Sequence, residues 1–210
     1  MEKRGLSKEE MDVFYGQGED PWGYHVANRH CITAGLCKQI LPVNAFVTKG
    51  LSIVEYGCGE GLLLKEIRDI CHPNLLVGYD LCSLAVQRCI EINRVNAYVY
   101  DMRDPLPSIK ADIVVISDCL AYLDDLEYLE KEHKMLYGQE FLDNVFEKNV
   151  VPGGSIVLTS WFGGWGNPLG DVPPGGKTIM ELSWSGKGFI QAKKEFNDYQ
   201  AFYRVIGKPY

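Results

Sequence analysis

Apolar runs of strand length alternate with helix-like segments between about Tyr24 and Pro152, and no other feature of this sequence restricts its fold so strongly. The apolar runs are "LSIVEY", "LLVGYD", "AYVYD", "ADIVVIS" and "SIVLTSW". Segments with apolar residues at helical spacing, such as "LLLKEIRDIC" and "LAVQRCIEINR", separate several of them. Apolar strands joined by helices are typical of parallel β-α-β units. The sequence therefore predicts an α/β fold with a doubly wound, mostly parallel sheet and helices on both faces.

Three further segments complete this outline. The segment "YHVANRHCITAGLCKQIL" predicts an amphipathic helix that ends at Pro42. A long charged helix is predicted from about Leu126 to Asn149. Near the end of the chain, "GFIQAKKEF" and "QAFYRVIG" predict an antiparallel hairpin that turns at the intervening Asn197 and Asp198.

Length and composition are those of one ordinary globular domain. The chain has 210 residues, of which 46% are hydrophobic and 23% are charged. Its net charge of −7 argues against nucleic acid as a partner, because nucleic-acid-binding surfaces need clustered Lys and Arg. The seven cysteines form no C-x-x-C pair, which favours free thiols over disulfides or a metal site. The start "MEKRGLSKEE" and the lack of long apolar runs predict a cytoplasmic protein with no membrane partner.

The segment "VEYGCGEG" directly follows the first predicted strand and contains Gly57, Gly59 and Gly61. Ligands of doubly wound sheets bind beyond the carboxyl ends of the strands, where side chains would hold them away from the backbone amides. The glycines therefore indicate either a ligand-binding turn or only a tight turn from strand to helix.

Acidic residues at the ends of the next two strands favour the ligand. Asp80 ends the second strand, where a carboxylate can bind a ribose diol. Asp101 ends the third strand, where it and Met102 can border an adenine. The spacing E-x-G-x-G-x-G differs from the G-x-G-x-x-G of dinucleotide sites, which disfavours a nicotinamide oxidoreductase.

In these motifs the sequence resembles the class I S-adenosylmethionine-dependent methyltransferases. The resemblance rests on "VEYGCGEG", "GYD", "VYDMRD", "ADIVVISDCLAYL" and "VVPGGSIVLTS", which occur in the family's order. It implies a Rossmann-like sheet of seven strands with S-adenosyl-L-methionine as the cofactor. The glycines would then line the methionine part, Asp80 would hold the ribose hydroxyls, and Asp101 with Met102 would flank the adenine. The full set that it implies for the cofactor is Glu55, Gly57, Cys58, Gly59, Gly61, Asp80, Leu81, Asp101, Met102 and Asp118.

The same resemblance divides the single methyltransferase domain, residues 1–210, into three parts. Residues 1–50 would form an N-terminal lid and helix, and residues 51–160 the cofactor-binding core. Residues 161–210 would form a substrate loop and the C-terminal hairpin.

A narrower resemblance begins upstream of the core. The segment "EDPWGY", together with "ISDCLAYL", is similar to small-molecule methyltransferases related to the nodulation N-methyltransferases, which act on an amino sugar. It implies that Trp22 covers the cofactor and that Arg29 pairs with the cofactor's carboxylate. The alternatives are a hydrophobic plug at the sheet edge for Trp22 and a surface cation for Arg29. That family commonly has Glu where Asp118 ends the fourth strand here.

Asp118 and Tyr122 are the predicted catalytic residues. Asp118 lies where the fourth strand opens toward the sulfonium, with Tyr122 about one helical turn beyond it, so that both can orient an acceptor amine or hydroxyl. The alternative for Asp118 is an N-cap of the short helix that follows. Trp161 and Trp165 lie among glycines after the fifth strand, where they either bind a sugar-like acceptor or pack over the end of the sheet.

Two classes of function follow. The first is an enzyme that methylates an amine or hydroxyl of a small molecule, such as a sugar or amino sugar. The second is a catalytically inactive methyltransferase-fold protein that serves as a binding or scaffold subunit. The intact glycines and acidic residues favour the enzyme, since a scaffold has no need of a cofactor pocket.

Overall fold

The computed structural model describes residues 7–16, 29–41, 50–124, 132, 135–160, 169–191 and 194–210. Its strands are β1 Ser52–Tyr56, β2 Leu75–Asp80, β3 Asn96–Val99, β4 Ala111–Ser117, β5 Val150–Ser160, β6 Lys177–Gln191 and β7 Lys194–Gly207. They form one sheet in the order β3-β2-β1-β4-β5-β7-β6. The strands from β1 to β5 pair in parallel, whereas β7 pairs antiparallel with both β5 and β6. The predicted Rossmann-like, mostly parallel seven-stranded sheet with an antiparallel hairpin is confirmed.

Five helices and one 3₁₀ turn accompany these strands within the described ranges. The helices are α1 Lys8–Gly16, α2 Arg29–Gln39, α3 Leu62–Cys71, α4 Ser83–Glu91 and α5 Tyr137–Lys148, and the 3₁₀ turn is Leu120–Leu123. Apolar residues recur along α3 at helical spacing, and they are buried. The predicted bounds of α3, from "LLLKEIRDIC" and the turn "HPN", are confirmed.

One face of the sheet, called here the helical face, is covered by α2, α3 and α4. Ile53 and Ile113 project from it, because successive side chains of a strand point to opposite sides. α2 and α3 pack on these residues, while α4 packs on β3 through Val86 and Ala97. The helices of this face are thus held by apolar contacts along most of the parallel sheet.

The opposite face, called here the tyrosine face, carries Tyr56 and is closed differently. α5 covers its central part. The connection between β3 and β4, residues 100–110, contains no helix, so aromatic rings cover the end of the face near β2 and β3. The rings of Tyr56 and Tyr79 stack with centroids 5.4 Å apart, and those of Tyr98 and Tyr100 lie 5.9 and 5.5 Å from Tyr79. Side chains replace a helix at this end of the sheet.

The prediction of one helix from Leu126 to Asn149 is wrong. Residues 135–136 are not helical, and α5 begins after them. The carboxylate of Asp124, which is 1% exposed, accepts hydrogen bonds of 3.0, 2.9 and 3.0 Å from the backbone N–H groups of residues 136–138. A carboxylate bound to the first N–H groups of a helix fixes its start. Asp124 lies 12 residues before the first of these N–H groups, so the apolar periodicity of the helix does not reveal this contact.

The C-terminal hairpin is confirmed, but its predicted turn is wrong. Asn197 and Asp198 lie inside β7, and the two strands meet where Gln191 pairs with Lys194. This register pairs the strands along almost their whole length, which satisfies more backbone N–H and C=O groups than a turn at Asn197 would. Strand pairing therefore outweighs the turn preference of the two residues.

Crosslinks do not hold this fold together. All seven cysteines are free, and six of them are buried, as the sequence predicts. No group of three or more His, Cys, Asp or Glu side chains in the described ranges could hold a metal ion. None of the helices described above is long and apolar enough to cross a bilayer.

Candidate cofactor and acceptor site

The carboxyl ends of β1, β2 and β4 meet at one edge of the sheet, as parallel strands require. A cleft opens there between the sheet and α1. The predicted site residues that line it are Gly57, Asp80, Leu81, Asp101, Met102, Asp118 and Tyr122. The structure thus brings together residues from four separate segments of the chain.

The turn between β1 and α3 needs glycine for its backbone and for its packing. Gly57 has a φ of 74° and Gly59 a φ of 52°, in the left-handed region that side chains disfavour. A Cβ atom at Gly57 would lie 2.6 Å from the Cβ of Cys119, and one at Gly59 would lie 2.8 Å from the hydroxyl of Tyr15. The sequence suggests that the missing side chains leave room for a ligand, but protein atoms use that room at both positions.

Asp80 ties this turn to the end of β2. Its Oδ2 accepts a hydrogen bond of 2.7 Å from the N–H of Gly59, and its Oδ1 accepts one of 2.9 Å from the N–H of Cys82. Burial raises the pKa of Asp80, although these two hydrogen bonds oppose the rise. A carboxylate offers about four acceptor positions, so Asp80 can still accept from hydroxyl groups in the cleft.

Asp101 lies two residues beyond β3 and is bound by Arg103. Its Oδ1 accepts from the backbone N–H and the Nε of Arg103 at 2.9 and 2.8 Å, and its Oδ2 accepts from Nη2 at 2.7 Å. Burial acts to raise the pKa of Asp101, but the hydrogen bonds and charge of Arg103 outweigh it and lower that pKa. The carboxylate is therefore ionised at neutral pH and keeps an acceptor position for a donor in the cleft.

Asp118 directly follows β4 and has a φ of 56°, which is uncommon for a residue other than glycine. Its backbone N–H donates to the carbonyl of Thr159 at 3.0 Å, and the residue is 6% exposed. The N-cap alternative is not realised, because Cys119 occupies that position before the 3₁₀ turn. Tyr122, in that turn, lines the same cleft. A buried residue in a rare conformation beside a cleft is typical of a functional site.

Glu55, Cys58 and Gly61 lie behind the wall of the cleft. Glu55 is buried on the helical face, and its Oε2 has no hydrogen-bond partner among the described residues. Burial raises the pKa of Glu55 well above its ordinary value, and the neighbouring Cys89 and Asp80 raise it further. Cys58 and Gly61 both pack toward Cys89 of α4. These three residues reach a ligand in the cleft only through the backbone of the turn or through other side chains.

The structure does not describe the side chains of four other predicted site residues. Trp22, Trp161 and Trp165 lie outside the described residues. Arg29 is the first residue of α2, and its side chain also lies outside the described part of the chain.

Helix α1 supplies wall residues that the sequence analysis does not identify. Met11 and Tyr15 are one helical turn apart, and both line the cleft. The carbonyl of Tyr15 accepts a hydrogen bond of 3.2 Å from Arg88, and the carboxylate of Asp12 accepts one of 3.0 Å from Cys82. With α1 in this position the free volume of the cleft is about 60 Å³. The spacing of the two apolar residues within "KEEMDVFYG" is the only signal that could have revealed them.

The central part of the chain matches a known protein family. Residues 54–136 match a family model described as a methyltransferase domain. No curated protein matches the sequence at a significant level. The matched residues include the turn after β1, the ends of β2 and β4, and the 3₁₀ turn, which together form most of the cleft wall.

Three solved structures share the architecture. The N-methyltransferase NodS from Bradyrhizobium japonicum WM9, in complex with S-adenosyl-L-homocysteine, has a TM-score of 0.66 and 16% identity over 97% of this chain and 98% of its own. Coclaurine N-methyltransferase has a TM-score of 0.56 and 10% identity over 85% and 72%. The YcgJ protein from Bacillus subtilis has a TM-score of 0.55 and 9% identity over 86% and 100%. At these identities the likeness concerns the fold.

The family match and the strand order agree with the resemblance found in the sequence. The family match supports the predicted methyltransferase core over residues 54–136, and the strand order agrees with the predicted sheet. Residues 54–136 of the protein thus match a methyltransferase domain, within a sheet that has the fold of the solved NodS structure.

Proposed function

We propose that this protein transfers the methyl group of S-adenosyl-L-methionine to an amine or hydroxyl of a small molecule, such as a sugar or amino sugar. The observation that carries this proposal is the cleft, where Asp80, Asp101 and Asp118 from the ends of three strands meet the turn at Gly57. Carboxylates accept hydrogen bonds, and a nucleoside offers hydroxyl and amine donors. The chemistry of the wall therefore fits the adenosine part of the cofactor.

Each part of the cofactor has its own partners in this proposal. Asp80 receives the ribose hydroxyls at its remaining acceptor positions, and Asp101 receives the adenine amine, with Met102 beside the ring. Gly57, where the turn reaches the cleft wall, would hold the methionine part. When bound, the cofactor supplies a methyl group on a positively charged sulfur, which a nucleophile can attack in line.

The cofactor enters only when α1 shifts. Small-molecule pockets have volumes of roughly 300–1,000 Å³, whereas the free volume here is about 60 Å³ with Met11 and Tyr15 on the wall. The two bonds from Arg88 and Cys82 that hold α1 must then break or rearrange. We expect hydrogen exchange of residues 7–16 to change when S-adenosyl-L-homocysteine binds, and unchanged exchange would argue against such a cover.

Asp118 and Tyr122 act on the acceptor. Both lie on the cleft wall, so an acceptor amine or hydroxyl placed there meets a carboxylate and a phenol. Asp118 accepts the proton that the nucleophile loses, and Tyr122 orients the nucleophile by a hydrogen bond. The names of NodS and coclaurine N-methyltransferase describe transfer to nitrogen, which supports an amine as the acceptor.

Calorimetry tests the cofactor part of the proposal. The protein should bind S-adenosyl-L-methionine and S-adenosyl-L-homocysteine more tightly than NAD. Asp80→Ala should weaken that binding by about 1–3 kcal/mol, since it removes a charged hydrogen-bond acceptor. Asp143→Ala on α5, away from the cleft, is the matched control and should leave the affinity unchanged. Tighter binding of NAD would refute the proposal.

A screen of amines and hydroxyl compounds for the mass gain of one methyl group tests the transfer. With an acceptor in hand, Asp118→Asn should lower turnover by roughly a hundredfold or more, because it keeps the shape but removes the base. The affinity for S-adenosyl-L-homocysteine should change much less. Full turnover in both Asp118→Asn and Tyr122→Phe would place the acceptor elsewhere, with the segment of Trp161 and Trp165 next to be examined.

A further inference from the structure

A second cavity adjoins the cofactor cleft. It has a volume of about 400 Å³ and lies between the connection that follows β3 and the outer side of α5. The two spaces share three wall residues, Met102, Arg103 and Leu123. Since residues common to two walls separate the spaces, these three side chains form the boundary between the cleft and the second cavity.

The second cavity exists because the crossover from β3 to β4 lacks a helix. Residues 100–110 pass beside the sheet as an irregular segment, and α5 approaches from the other side. The lining is mixed: Pro105, Leu106 and Phe141 are apolar, whereas Asp104, Glu140 and Lys148 are charged. A flat or aromatic group of moderate size fits such a space.

Arg103 is the boundary residue whose position is best defined. Three hydrogen bonds join it to Asp101, from its backbone N–H, Nε and Nη2. A guanidinium held at both Nε and Nη2 has little freedom to turn aside. The guanidinium of Arg103 therefore lies beside the carboxylate of Asp101, on the side of the second cavity. In the proposed function that carboxylate receives the adenine amine.

We propose that Arg103 determines the specificity of the site for an unsubstituted adenine, by closing the passage from the exocyclic amine into the second cavity. This inference rests on the proposed function, which sets Asp101 and Met102 against the adenine. A nucleoside with a large group on the exocyclic nitrogen has to push that group into Arg103. Removal of the guanidinium joins the two spaces and gives such a group room.

The test compares S-adenosyl-L-homocysteine with its N6-benzyl derivative by calorimetry. The wild-type protein should bind the derivative at least about 30-fold more weakly, a penalty in the range for a group that a pocket cannot accommodate. Arg103→Ala should reduce this difference to about threefold or less, because the benzyl group then enters the second cavity beside Leu106 and Phe141. Arg103→Met, which keeps a hydrophobic stem but no guanidinium, should fall between the two and replaces the alanine variant if that variant melts early.

Two controls separate this explanation from a general loosening of the site. Arg204 also pairs with a carboxylate, at Glu181, but lies outside both cavities, so Arg204→Ala should keep the wild-type discrimination. Adding Leu106→Trp to Arg103→Ala should narrow the second cavity and restore part of the discrimination.

The outcomes distinguish the two proposals. If Arg103→Ala binds S-adenosyl-L-homocysteine but discriminates as well as the wild type, the boundary role of Arg103 is overturned and the proposed function stands. A double variant that discriminates no better than Arg103→Ala also overturns it, because the group then lies outside the second cavity. If the wild-type protein fails to bind S-adenosyl-L-homocysteine, both proposals fall together.

Discussion

The two faces of the sheet are closed by different means, and Glu55 and Tyr56 show this within one strand. Glu55 points to the helical face, where helices cover the strands and a carboxyl group is buried beneath the glycine turn. Tyr56 points to the tyrosine face, where α5 and a group of aromatic rings complete the core. The helical face thus buries a carboxyl group near the turn after β1. The tyrosine face depends instead on ring packing and on α5, whose start is capped by Asp124.

This difference predicts that substitutions on the two faces of the sheet affect stability and ligand binding differently. On the tyrosine face, substitutions should mainly change the free energy of unfolding. On the helical face, substitutions at the turn should also respond to pH and to the position of α1. The predictions below test that division in order of decreasing effect.

Tyr56→Ala should have the largest effect. The side chain is fully buried and stacks on Tyr79 while its edge meets Phe141 at 5.2 Å between centroids. Its removal should lower the free energy of unfolding by about 3–5 kcal/mol, the range for truncating a buried aromatic residue. Urea denaturation followed by circular dichroism measures this value, and a loss below about 1 kcal/mol would contradict the assigned role of the rings.

Tyr56→Phe is the matched control for that experiment. The hydroxyl of Tyr56 is buried and has no hydrogen-bond partner among the described residues. A buried unpaired hydroxyl costs about 1–3 kcal/mol of desolvation, so its removal should leave stability equal or increase it. Burial also raises the pKa of Tyr56, which agrees with a hydroxyl shielded from water.

Asp124→Ala should follow in size. Three backbone N–H groups at the start of α5 lose their charged acceptor, which should cost about 2–3 kcal/mol. Asp143→Ala on the same helix removes a hydrogen bond with Gln139 and should lower the free energy of unfolding by only a few tenths of a kcal/mol. Equal losses in the two variants would show that the cap does not fix the start of α5.

Glu55→Gln tests the helical face through pH. The folded pKa of Glu55 lies well above the unfolded value of about 4.3. Between these values the folded state holds a proton that the unfolded chain has released, so the free energy of unfolding falls as pH rises. The slope is up to about 1.4 kcal/mol per pH unit. Glu55→Gln should therefore gain stability relative to the wild type as pH rises above the unfolded pKa, in contrast to Glu91→Gln at an exposed site on α4.

The coupling of Gly59 to Tyr15 should be the smallest effect. Gly59→Ala places a Cβ 2.8 Å from the hydroxyl of Tyr15, whereas in Tyr15→Phe the nearest ring atom is 3.8 Å away. A double-mutant cycle should therefore give a coupling energy of about 1 kcal/mol. Gly175→Ala, which has a similar backbone conformation and open space around it, is the control and should show no coupling to Tyr15. Additive losses at Gly59 and Tyr15 would mean that α1 does not rest on the turn.

Much of the fold follows from local patterns, and the exceptions share a cause. β2, β4 and α3 have their predicted bounds, because apolar runs stop at turn-forming residues. The start of α5 and the turn of the hairpin depend instead on Asp124 and on strand pairing, which are contacts between distant parts of the chain.

The site divides in the same way. Asp80, Asp101 and Asp118 can be placed from the sequence, because each follows a recognisable strand and strand ends converge in parallel sheets. Met11, Tyr15 and Arg103 need the tertiary structure, since nothing local shows that α1 covers the turn or that an arginine separates two cavities. Sequence patterns therefore locate the acceptor groups of the wall, and the structure shows what limits the space between them.

The position of β7 between β5 and β6 has a consequence for synthesis on the ribosome. Residues 150–160 can join the parallel sheet as soon as they emerge, but their outer edge finds its partner only when residues 194–207 have been made. At roughly 5–20 residues per second, that edge stays unpaired for a few seconds and is open to pairing with other nascent chains. Slower translation of the codons for residues 161–207 should thus increase aggregation, whereas slower translation of the codons for residues 50–100 should not.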